Sequence, residues 1–180
     1  LKELSLNILD ITENSVKAGA TLTQIIIDET PEKLIIRIID DGCGMSEEIV
    51  KSVIDPFYTT RTTRKVGLGV PLIKLACEQT GGKFHIVSDV SADNHGTTIT
   101  AEFNKNHIDF TPLGDIVSTI STLIQGHPET DFRFVHNIDN YEVSLDTRQL
   151  REVLEDVPLN SYEVIKWIEE SLKEQYREIH

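Results

Sequence analysis

Basic charge is scarce in this chain. Seventeen Lys and Arg stand against 30 Asp and Glu, a net charge of −13 over 180 residues, and a surface that neutralises phosphate backbones needs the opposite balance. No nucleic-acid partner is expected. Cysteine is scarce too: Cys43 and Cys77 build no disulfide framework, which points to a reducing cytoplasm. Long apolar runs are missing. Ile25 to Ile27 and Ile38 to Ile39 are strand-sized, far below the roughly 20 residues that a bilayer crossing requires, so no membrane segment is expected. With Lys2 and Glu3 in the first turn, no secretory signal is expected within this sequence, upstream residues being left open. No Pro-, Ser- or Gly-rich tract and no repeat period interrupts the sequence.

What is present is a globular composition, 39% apolar and 26% charged, at a length that suits one domain, or one domain with a smaller appendage. The acid is uneven. Residues 1–105 carry 11 basic and 15 acidic side chains, net −4, whereas residues 106–180 carry 6 and 15, net −9. Leu4, Ile8, Leu9 and Ile11 recur at helical spacing before Gly19, which predicts a helix over residues 1–18. β-branched runs over 21–28 and 33–39, separated by Glu29-Thr30-Pro31-Glu32, predict two adjacent antiparallel strands. A Gly-rich loop (40–45), a short helix capped by Ser46, a polar stretch (55–66), a helix over 68–79 and strands over 83–89 and 97–103 follow. Residues 104–110 read as a linker. Beyond it, Thr111-Pro112 is expected to open a helix striped with Ile116, Val117, Ile120, Leu123 and Ile124. A hairpin over 132–145 and helices near 147–155 and 162–179, the last capped by Ser161, complete the chain.

Four blocks within residues 1–105 bear on chemistry: ITENSVKAGAT on the first helix, IIDDGCGM at the end of an Ile-rich strand, DPFYTTRTTRKVGLGVPLIKLACEQTGGKFHIVSD, and HGTTITAEF. In order and spacing they resemble the ATP-binding fold shared by histidine kinases, DNA gyrase and mismatch-repair ATPases (the GHKL superfamily). The resemblance implies an α/β (α+β) two-layer sandwich, a mixed and mostly antiparallel sheet with helices on one face, over residues 1–105. A small α/β C-terminal appendage, residues 106–180, would follow. It also implies ATP and Mg²⁺ as ligands.

The residues suit those ligands. Asp10, Asn14 and Lys17 lie at i, i+4 and i+7 on one helix face. The Asn14 amide offers Mg²⁺ a carbonyl oxygen and Lys17 offers phosphates a positive charge, while Mg²⁺ keeps several waters. Asp40 ends a strand, so its carboxylate is held where it can accept from an adenine amino group. Gly42 and Gly44 let the backbone pass close under the base, and Met45 supplies an adaptable apolar wall. DDGCG lacks the alternating oxygen ligands and distant Glu of a calcium loop. Gly67-Leu68-Gly69, followed by Val70, precedes a helix whose first N–H groups make an anion site. By resemblance, Phe57 opens a lid over the nucleotide that carries Thr60, Arg61, Arg64 and Lys65, and Thr97 completes the adenine contacts. Arg61 stands where kinases usually have Lys, a planar fork in place of a point charge.

The ATPase and serine-kinase branches of the superfamily carry a catalytic Glu four residues before the Mg²⁺ Asn. Asp10 occupies that position, shorter by one methylene, and is the candidate base; Glu13, about 100° around the helix, is the second. Histidine kinases carry a phosphoacceptor His followed by an acidic residue. The histidines here precede Ile86, Gly96, Ile108, Pro128 and Asn137, with His180 last. A phosphoacceptor is therefore expected on another chain or on an upstream part absent from this sequence. The expectation is an ATP-dependent regulatory kinase or slow ATPase acting with a protein partner, a homodimer being open. A non-catalytic ATP sensor and a mismatch-repair-like clamp are the alternatives.

Overall fold

The computed structural model describes residues 2–57 and 68–179. The chain starts with α1 (Leu4–Lys17), whose Leu4, Ile8 and Ile11 are buried at i, i+4 and i+7. Its first N–H groups, which no helix satisfies internally, are taken by the carbonyls of Pro112 (2.9 Å) and Leu113 (2.8 Å). β1 (Leu22–Glu29) and β2 (Lys33–Asp40) form the expected antiparallel pair, Ile25 opposite Ile38. Next come α2 (Glu47–Val53), capped by the Ser46 hydroxyl on the Ile49 N–H, α3 (Gly69–Gln79), β3 (Lys83–Asp89) and β4 (Gly96–Asn104). Then α4 (Ile116–Gly126), β5 (Asp131–Ile138), β6 (Tyr141–Asp146), α5 (Thr147–Leu154) and α6 (Tyr162–Arg177) follow.

The strands form one sheet in the order β3-β4-β2-β1-β5-β6. Every pairing is antiparallel except β1 with β5, where Ile25 lies beside Phe134. Alternation along the strands puts Ile25, Ile38, Ile99, Phe134 and Leu145 in one buried row, and the helices cover that face with Ile8, Ile73, Ile120, Leu123 and Ile168. The opposite face carries half-buried Ile26, Ile35 and Ile39 and the Arg37–Asp28 ion pair. Residues past 105 extend this same sheet through β5 and β6. Around the expected linker, Lys105 reaches Glu29 (2.6 Å) and Phe110 meets Phe103 edge-on, ring centroids 6.0 Å apart.

Two local expectations need correction. The helix expected from Thr111-Pro112 begins at Ile116, with the Asp115 carboxylate capping the Ser118 N–H. The Pro112 and Leu113 carbonyls accept from the first N–H groups of α1 and so are not spent inside α4. Ser161 stands at the N-cap of α6, but its hydroxyl makes no capping bond.

Candidate functional site

A cavity of about 330 Å³ opens between α1, α2, the start of α3 and the ends of β2 and β4. Its wall includes Asn14, Lys17, Asp40, Gly44, Met45, Val70 and Thr97, together with Ile11, Ile38, Val53 and Ile99. This combination of an apolar wall and a few convergent polar groups is that of a small-molecule site.

Register explains how the polar groups meet. Asp40 on β2 lies directly opposite Thr97 on β4, which lies opposite Ser88 on β3. The Asp40 carboxylate is held at both oxygens: the Ser15 hydroxyl donates to Oδ2 (2.7 Å) and the Gly42 N–H to Oδ1 (2.9 Å). Each oxygen keeps a lone pair for a ligand donor. Ser88 joins the next residues of the row. Its Oγ accepts from the Met45 N–H (2.7 Å) and shares a 2.7 Å hydrogen bond with the Thr97 hydroxyl. The His95 Nδ1–H donates to the Gly42 carbonyl at 2.7 Å, tying the β3–β4 turn to the glycine loop.

Two glycines have steric reasons to be there. Gly44 sits at φ +77°, and a Cβ on it would lie 1.9 Å from the Asp89 carbonyl oxygen. A Cβ on Gly69 would lie 2.8 Å from the Cβ of Asp10, so only glycine lets the start of α3 lie against α1. Asn7, buried on α1, donates to the Gly69 carbonyl (3.4 Å) across the same contact.

The remaining candidates fall elsewhere. Gly42 is buried beneath the wall. Asp10 is exposed beside Gly69, outside the cavity lining. Glu13 turns to α4, where its carboxylate meets His127 Nε2 at 2.7 Å. Leu68 and Phe57 are 41% and 74% exposed and do not line the cavity. Thr60, Arg61, Arg64, Lys65 and Gly67, the expected lid and the first glycine of its loop, lie outside the described residues. Ser15, Ser88 and His95 were not singled out in the sequence. The ENS triplet, the SD pair ending a strand and the histidine that opens HGTTITAEF are their signals. Cys43 lies on the cavity wall and Cys77 is buried, its thiol pushed up to about 11 by burial.

Comparison with known proteins agrees with this geometry. Residues 1–107 match the model of the family described as histidine kinase-, DNA gyrase B- and HSP90-like ATPase. The chain belongs to this family. Sporulation kinase D of Bacillus subtilis is 32% identical over 100 residues, covering 56% of this chain and 19% of the kinase. The sensor protein KdpD of Clostridium acetobutylicum is 31% identical over 93 residues, covering 49% and 10%. The DNA mismatch repair protein MutL of Listeria monocytogenes is 25% identical over 167 residues, 71% of this chain and 27% of MutL. The chain thus spans between a tenth and about a quarter of the length of these relatives. Among solved structures, the Aquifex aeolicus MutL ATPase domain complexed with ADP superposes with a TM-score of 0.53 at 17% identity, covering 86% of this chain and 70% of that one. The N-terminal domain of a DNA repair protein gives a TM-score of 0.55 at 15% identity, covering 80% and 52%. At such identities the likeness is one of fold, and its coverage takes in most of the C-terminal strands and helices as well.

Proposed function

We propose that this GHKL ATPase-family chain is an ATP·Mg²⁺-binding regulatory protein, a kinase or slow ATPase that works on or with a separate protein partner in the cytoplasm. The observation that carries the nucleotide reading is the Asp40–Thr97 pair at the cavity floor, with a carboxylate fixed by Ser15 and Gly42 and still able to accept from an adenine amino group. Met45, Val70 and Ile99 would sandwich an aromatic base. Asn14 and Lys17 lie on the same wall, where phosphates would find positive charge, and the first N–H groups of α3 would add to it.

The donor set fits Mg²⁺ brought in with a nucleotide. Among the described residues no three His, Cys, Asp or Glu side chains cluster to hold a metal, and Mg²⁺ is usually held by one or two protein oxygens plus phosphates and water. Asn14 would supply the amide oxygen, and the ion would neutralise charge developing on the phosphoryl oxygens. Asp10, one turn earlier on α1, is the group that would orient a water or an acceptor hydroxyl. Arg61 would add charge to the phosphate end. Two unpaired thiols suit a reducing compartment, and among the described residues no helix is long and apolar enough to cross a membrane.

A second reading, a switch that binds ATP without turnover, is favoured by Asp10 itself, which is exposed, off the cavity wall and one methylene short of the family's Glu. The extent of the MutL-like fold supports a third, an ATP clamp, against which the acidic surface stands. Incubation with γ-labelled ATP, Mg²⁺ and a lysate of the source cell separates them. A labelled partner indicates a kinase, free phosphate alone an ATPase or clamp, and retained binding without either a switch. Absence of ATP binding by calorimetry would overturn all three.

A further inference from the structure

The second cluster of unexplained side chains lies at the far end of the sheet from the ATP pocket. A groove of about 480 Å³ runs between α5 and α6, lined by Leu150, Val153, Leu154, Val157, Val164 and Trp167. Val153 is 81% exposed, and Trp167, the sole tryptophan of the chain, is 52% exposed. A second hollow, about 390 Å³, shares Leu150, Val153 and Trp167 and continues the groove to β6. Contiguous apolar surface of this kind marks a contact site.

The charge around it has one sign in excess. Glu163, Trp167 and Glu170 stand at i, i+4 and i+7 on α6, so the tryptophan is bracketed by carboxylates on one face. On the α5 side, exposed Glu152, Glu155 and Asp156 alternate in sequence with Val153, Leu154 and Val157. Glu142 and Asp146 line the β6 end. The cations nearby are mostly committed: Arg133 bonds Gln24, Arg148 pairs with Asp146 and Arg151 with Asp131. Lys166 is turned about 100° away from Trp167 around the helix.

We propose that this groove docks an amphipathic helix of a protein partner whose apolar stripe is flanked by lysines or arginines. The walls are helices, between which a third helix packs ridge into groove. Addition of a strand at the β6 edge is disfavoured, because the Gln175 side-chain amide already accepts from the Ser144 N–H (2.8 Å) and donates to the Ser144 carbonyl (3.1 Å), occupying that edge as a strand would. The acidic rim selects a cationic partner and repels anionic lipid. None of these residues touches the ATP pocket, so the proposal stands or falls independently of nucleotide binding.

The test uses the full chain and two tryptophan-free 18-residue peptides with leucine at i, i+3, i+4 and i+7, one filled with lysine and the other with glutamate. Emission then reports Trp167 alone. The lysine peptide is expected to shift that emission to the blue and to bind saturably. Binding should weaken about tenfold or more in Val153→Ser, in Glu163→Lys/Glu170→Lys, and on raising salt past a Debye length of about 3 Å. All three positions are exposed, so the variants should keep the wild-type circular dichroism. No blue shift, equal binding of the glutamate peptide, or binding indifferent to the substitutions would overturn the proposal. So would a blue shift with anionic phospholipid vesicles in place of the peptide, or sedimentation showing that Val153→Ser dissolves a homodimer.

Discussion

β2 and β4 end in polar side chains that meet a cavity, whereas β5 and β6, in the same sheet, end in polar side chains that meet one another. Asp131 takes hydrogen bonds from Thr147 and Arg151, Thr147 also accepts from the Phe132 N–H, and Asp146 holds Arg148. His136, 3% exposed, lies between the Tyr176 hydroxyl (2.7 Å) and Glu29 (2.8 Å), and Glu29 in turn binds Lys105 (2.6 Å). These groups spend their hydrogen bonds on one another inside the fold. Asp40 and Thr97 are as well positioned, by Ser15, Gly42 and Ser88, yet keep acceptor capacity directed at a hollow. Polar groups fixed from behind and open in front distinguish a site from scaffold, since buried polar groups are otherwise satisfied locally.

The sharpest way to break this comparison is at Asp10, which is proposed for the chemical half but lies off the cavity wall. If it orients the attacking nucleophile, Asp10→Asn should leave ATP affinity nearly intact and lower turnover by about 10²-fold or more. If its short reach already leaves the nucleophile unheld, wild type should turn over negligibly and Asp10→Glu should raise the rate. Phosphate release from the three proteins side by side decides. Substantial turnover undiminished in Asp10→Asn would remove Asp10 from the mechanism, and Glu13, already bound to His127, would be a poor substitute.

Asp40→Asn should weaken ATP by roughly 1.5 to 3 kcal/mol, the worth of a hydrogen bond to a charged group, with little change in thermal stability. Calorimetric affinity equal to wild type would put adenine elsewhere.

How much of this was legible beforehand depended on range. The helix period of α1, the β1–β2 hairpin and the glycine loop are local patterns; Asn14, Lys17, Asp40, Gly44 and Met45, read from them, line one cavity together with Val70, which follows the second glycine loop, and Thr97, implied by the family resemblance. The parallel pairing of β5 with β1 joins residues more than a hundred positions apart, and no local period encodes it. The start of α4 is hidden for the same reason: its boundary at Ile116 follows from carbonyls given to a distant helix, which outweigh the favourable Thr111-Pro112. Serine is ambiguous by nature, at home in caps, turns and solvent, so Ser15 and Ser88 acquire meaning only once Asp40 and Thr97 stand beside them.

Glu29 tests the scaffold half. Its carboxyl is held down to about 2, first by the hydrogen bond with His136 and then by Lys105, against desolvation. A depressed folded-state pKa stabilises the fold above the unfolded value, near 4.5, and that contribution is lost as pH falls from there toward about 2. Glu29→Gln should therefore cost about 1 to 3 kcal/mol at neutral pH and flatten this part of the acid limb in denaturant titrations. ATP affinity of the folded variant should stay at the wild-type value. A matching loss of affinity would mean that the two halves are coupled, not merely joined.

Ser88→Ala is the smallest expected effect and the one that most directly separates positioning from packing. A hydroxyl has one proton and two lone pairs, and Ser88 uses them among the Met45 N–H, the Thr97 hydroxyl and the Gly96 carbonyl, the last at 3.3 Å. Alanine would fill almost the same space, so the sheet and its melting temperature should hardly change. It would free the Met45 N–H and let the Thr97 hydroxyl rotate away from the base. ATP affinity should fall by about 1 kcal/mol, roughly fivefold, and Ser88→Thr, which restores the hydroxyl, should recover most of it. If Ser88→Ala instead lowers stability and leaves affinity unchanged, the Ser88–Thr97 bond belongs to the scaffold, and the boundary between the two kinds of polar group lies nearer to Asp40 than the β3–β4 row implies.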